Sequence, residues 1–99
     1  LIQQTSIKQN DIVTIKLIDQ SGGTEIIGKL TDENTTDYIE LQRPHAVMMG
    51  QQGFGLMPFL LTGELSSNIK FDRKHVIAVA RTLDQVAKEY IKQTTGIQV

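Results

Sequence analysis

The chain contains no cysteine, and that removes disulfides, thiolate metal sites and cysteine nucleophiles together. The same absence fits a reducing compartment, and the cytoplasm is the expected location. No run of about 18 apolar residues exists that could cross a bilayer as a helix, and no signal peptide is visible. The chain opens on Leu1 rather than Met, which leaves open whether the N-terminus is complete. A basic excess is also missing. Ten Lys and Arg stand against eleven Asp and Glu, a net charge of −1, so any nucleic-acid affinity must come from local placement of charge. With two histidines and no HExxH, GxSxG or Walker pattern, the sequence does not read as an enzyme. Asp32-Glu33 sits in a turn with no apolar pocket implied around it to raise a carboxyl pKa. Neither a cofactor site nor a metal site is readable.

What is present is a β-rich domain. Ninety-nine residues with 39% hydrophobic and 21% charged side chains suit one globular unit with a limited core, for which self-association is a natural further source of stability. Ile12 to Ile18 is β-branched and alternating, with Val13, Ile15 and Leu17 on one face. The turn Gln20-Ser21-Gly22-Gly23 follows, where glycine takes positive φ without steric cost. Glu25 to Thr31 places Ile26, Gly28 and Leu30 on one face and Ile27 and Lys29 on the other. A glycine in mid-strand marks a sharp bend or a close backbone approach. A third strand begins near Tyr38 and turns Ile39 and Leu41 inward.

The spacing of Val13, Ile15 and Leu17, then Gly28 and Leu30, then Leu41 resembles the first motif of the Sm and Sm-like (LSm) proteins, the Hfq type included. Ile69, Phe71 and Val76 fit the apolar places of the second motif. Among members the likeness is to the Sm-like proteins attributed to bacteriophages, which would place the chain in a host cytoplasm. The resemblance implies a mainly β fold: an open five-stranded Sm-like (SH3-like) barrel bent at Gly28, here with a C-terminal α-helix. It divides the chain into an N-terminal arm over 1–10, a barrel over 11–80, and a helix and tail over 81–99. It also implies a homo-oligomeric ring, expected to hold roughly five to seven subunits, in which bare strand edges of neighbours pair.

Function follows from the resemblance as an expectation. In the family, the loop before the third strand and the turn in the second motif together hold single-stranded RNA, without catalysis. The loop places fall here on Asn34, Thr36, Asp37 and Tyr38, none identical to the family's residues. Asn34 offers a hydrogen bond to a base edge and Tyr38 a face for stacking, whereas Asp37 repels phosphate. Asp72 and Arg73 stand where the family has Arg-Gly, or, with a one-residue shift, Arg73 stands on the Arg; the glycine is missing either way. Arg73, Lys74 and His75 form the one compact basic cluster and are the candidates for phosphate contact. The expected RNA-binding set is therefore Asn34, Asp37, Tyr38, Arg73, Lys74 and His75. A solvated turn at either place is the plainer reading. The alternative function is a structural or assembly ring that binds protein and has lost RNA binding.

The remainder of the chain gives three further expectations. Arg43-Pro44-His45 interrupts the third strand at an edge, a bulge or an end, because proline has no N–H for the ladder, and His45 is a surface or bulge residue. Ala46 to Leu61 reads as an apolar hairpin whose tip, Gln51 to Gly55, carries a Gly-Phe-Gly that lacks the rest of a phosphate loop. Its flanks suit either core strands with a flexible tip or an interface between identical subunits. An open hairpin in lipid would leave backbone groups unsatisfied. Thr82 to Gly96 is a helix, with capping-box spacing at Thr82 and Gln85 and an apolar stripe of Leu83, Val86, Ala87, Tyr90 and Ile91.

Overall fold

A computed structural model describes residues 7–18, 23–32, 36–64 and 67–95. The alternating runs form strands β1 (Ile12–Leu17), β2 (Thr24–Leu30), β3 (Tyr38–Gly50), β4 (Gly53–Pro58), β5 (Asn68–Asp72) and β6 (Val76–Arg81). A single 3-10 turn, Arg73–His75, joins the last two strands, and helix α1 (Asp84–Thr95) closes the described chain. All pairings are antiparallel, in the order β4-β3-β2-β1-β6, with β5 also paired to β3. The sheet has six strands, not the expected five, and is not closed into a barrel. The extra strand arises because Pro58 ends β4 and the chain leaves β3 until Asn68, where β5 rejoins it farther along. No helix among the described residues is long and apolar enough to cross a membrane.

The core lies on one face of the curved sheet. Val13, Ile15, Ile26, Leu30, Ile39, Leu41 and Phe71 bury together there, as the alternation requires, and each full burial contributes about 1.5–3 kcal/mol. Ile7 packs partly against this cluster, so the arm is joined to the domain by its last residues. Asn10 and Asp11 extend the β1–β2 ladder, with Asn10 N–H donating to Leu30 O at 2.7 Å and Leu30 N–H to Asp11 O at 2.9 Å. The turn residues 20–22 and Gly96, a stop expected for the helix, lie outside the described residues.

Of the three places expected for Arg43-Pro44-His45, the structure shows the bulge, and strand β3 continues through it. Ile27 pairs with His45 and Lys29 with Gln42, so two residues of β3 stand opposite Gly28. Arg43 takes φ +52°, the left-handed region that one residue of a bulge can occupy. Gly28 faces this kink at very short range: a Cβ there would stand 2.8 Å from Leu41 Cβ and 3.3 Å from Gln42 O. The mid-strand glycine is thus explained by a close approach. His45 is buried, not at the surface, because the bulge swings it under α1. Its Nδ1 lies 2.8 Å from Arg43 O, and its ring meets Tyr90 edge-on at 5.6 Å.

Helix α1 is held by what the bulge leaves over. A bulge disrupts the ladder locally, and beside it the single Tyr90 Oη proton is shared between two carbonyls, Gln42 O at 2.8 Å and Arg43 O at 2.9 Å. Gln93 Nε2 donates to Leu56 O at 2.9 Å. The helix therefore lies against the outer sheet face, the face on which Ile27 and Val86 line a common trough. Its start departs from the capping box. Thr82 N–H donates to Ile12 O and its hydroxyl shares a hydrogen bond with Thr14 Oγ1 at 2.8 Å, so the sheet holds it and α1 begins two residues later. Leu83 then falls outside the buried stripe and is 76% exposed.

Gly28→Ala forces its Cβ onto the Leu41 stem and is expected to lower stability by about 1–3 kcal/mol, read from urea or thermal unfolding. Burial pushes the Tyr90 phenol up to about 12, against the opposing pull of the Arg43 cation and the Lys29 backbone. The unfolded chain then loses that proton near pH 10 while the folded one keeps it, so stability falls as pH rises from about 10 to 12. Tyr90→Phe is expected to abolish this alkaline component and to cost about 1–2 kcal/mol at neutral pH.

Candidate nucleic-acid interface

The loop before β3 and the turn after β5 meet at one end of the sheet. Tyr38 is registered against Asp72, and Glu40 against Lys70. Arg73 N–H donates to Asp37 O at 3.1 Å, which ties the two segments together by backbone. Asp72 caps the 3-10 turn, its carboxylate accepting from Lys74 N–H at 2.9 Å. On the far side, Ile18 N–H donates to His75 O at 2.8 Å, fastening the turn to the end of β1. A short turn with three consecutive basic residues is therefore held at both ends, with Arg73, Lys74 and His75 all exposed.

Of the expected site residues, Asp37, Tyr38, Arg73, Lys74 and His75 converge on this end; Asn34 lies outside the described residues. Sequence reasoning missed Lys70. Its ammonium sits 4.8 Å from the Tyr38 ring centroid, a cation–π contact that covers one face of the half-buried ring. Strand alternation carries that signal, since Lys70 and Asp72 share the exposed face once Phe71 is inward. Below the surface, Arg73 and Asp32 line a small cavity of about 150 Å³ over an apolar floor of Ile7, Leu30, Ile39 and Val79.

The charges alternate in sign. Lys70, Arg73 and Lys74 offer cations to a phosphate and His75 an imidazole N–H, whereas Asp32, Asp37 and Asp72 oppose one. Among the described residues, no group of three or more His, Asp or Glu side chains converges as a metal site would require. No protein-family model matches the chain. A comparison with curated proteins likewise finds no match.

Capping and charge at Asp72 can be separated. Asp72→Ala, which removes the acceptor, is expected to cost about 0.5–2 kcal/mol in thermal unfolding, while Asp72→Asn keeps an acceptor and stays close to the parent.

Proposed function

We propose that the chain is an Sm-like protein that assembles into a homo-oligomeric ring and binds single-stranded RNA without catalysis. The observation that carries the reading is the junction of the two segments, Arg73 N–H on Asp37 O, which gathers Tyr38, the three cations Lys70, Arg73 and Lys74, and the imidazole of His75. A bent strand at the bulge opposite Gly28, with β5 and β6 linked by one turn, supports the Sm-like placement. Each of β5 and β6 pairs on one side only among the described residues, and edges of that kind are satisfied when copies join in a circle. Repetition around a ring multiplies a contact that is weak in one copy. The half-buried Tyr38 offers an aromatic ring for stacking with a base, and the turn presents cations to phosphates.

A second reading has its own observation. Lys70 already occupies one face of Tyr38, and Asp37 and Asp72 flank the cations. Those features suit a ring that binds protein, with the base-holding loop given up.

Two measurements decide. Light scattering is expected to return a multiple of 11.0 kDa; a lone chain at high concentration removes the ring. Titration with short U-rich and A-rich RNA is expected to show salt-sensitive binding that Arg73→Ala with Lys74→Ala weakens. The chain has two tyrosines and no tryptophan, so in Tyr90→Phe the sole emitter is Tyr38. Its fluorescence is expected to be quenched by bound RNA. No binding at micromolar protein, with the ring intact, leaves the protein-binding reading.

A further inference from the structure

Two apolar features of the fold remain without a partner. One is a finger at Phe59–Gly63, where the chain leaves β3 between β4 and β5. It is anchored by Phe59 N–H donating to Pro44 O at 2.9 Å. It is also folded tightly on itself, since a Cβ at Gly63 would stand 3.2 Å from Leu60 Cβ. Leu60 is 42% and Leu61 77% exposed on this finger. The other is a trough of about 410 Å³ on the outer sheet face, at the start of α1, lined among others by Ile27, Val47, Met49, Phe54, Leu83 and Val86. Met49 and Leu83 stand at its rim, 79% and 76% exposed.

Strand direction brings them together between copies. Strand β6 runs towards Leu83, and β5 runs away from the finger. If the outer edge of β6 pairs antiparallel with the outer edge of a neighbour's β5, the Arg81 end of β6 lies beside the Asn68 end of that β5. The next described residues back along the neighbour's chain lead to its finger; the next residues forward along this chain lead to Leu83 and the trough. We propose that Leu60 and Leu61 of one copy seat in the trough of the next, an inference that rests on the ring reading above. A five-residue edge ladder is small beside the roughly 800 Å² per partner that a stable interface buries. The finger and trough supply the apolar centre that such a ladder lacks. Because the two surfaces differ, the contact is head-to-tail, the kind that closes into a ring.

The absence of native cysteine makes the test clean. In the full chain, Leu61→Cys combined with Leu83→Cys is expected to give a ladder of covalent multimers on mild oxidation, and neither single variant is. Both side chains are exposed, so Leu61→Asp and Leu83→Asp should fold with unchanged circular dichroism. Each is expected to raise the assembly midpoint at least about tenfold. A multimeric parent that yields no 61–83 crosslink, and keeps its mass with Leu61→Asp, overturns the finger contact and leaves the ring standing. A crosslinked dimer from either single variant overturns it too, by showing a two-fold contact. A parent that is monomeric at all concentrations overturns both readings.

Discussion

Everything else in this fold depends on the close approach between Gly28 and the Leu41 stem. Because Gly28 carries no side chain, β3 can press against β2 where it holds one residue too many. Arg43 absorbs the surplus at positive φ, and β3 bends. The bend lets one strand of thirteen residues serve two partners on one edge, β5 along its first part and β4 along its last. A straight strand of that length would project beyond the core instead of folding around it.

The bulge also creates the demand that α1 meets. A buried carbonyl left without a donor at such a disruption would be costly. The Tyr90 hydroxyl reaches those of Gln42 and Arg43, and its ring stacks edge-on against His45. One aromatic residue thereby fixes where the helix lies. The helix in turn leaves an apolar trough at its own start, lined by Ile27 and Val86 among others. A backbone irregularity at one position thus shapes a surface far along the chain.

Because β3 is long, its two ends are chemically different places. The Tyr38 end is polar and charged, pinned to the turn at Arg73 by a backbone hydrogen bond. The Met49 end is apolar and exposed, turning through Gln51-Gln52 into β4. On the proposed reading, the polar end would hold the ligand while the trough at the Met49 end would take the neighbour's finger, with the β5 edge lying between the two. In a ring, the second contact would repeat the first.

Local pattern alone determined the strands, the inward set from Val13 to Phe71, the presence of a C-terminal helix and the special standing of Gly28, because alternation, helical period and the missing Cβ are properties of neighbours in sequence. The convergence of Asp37 and Tyr38 with Arg73 was legible only through spacing that resembles a family, and Lys70 was overlooked because its partner ring is 32 residues away. Tertiary structure decided the rest. Thr82 left its cap for Thr14 and His45 went inside against Tyr90, each because a contact distant in sequence outcompeted a local preference of about a kcal/mol, whereas the hairpin flank broke after Pro58. Where the surplus residue of β3 would be absorbed, and which side chain would satisfy its carbonyls, depends on which segments meet across the sheet, and no stretch of the chain carries that information by itself.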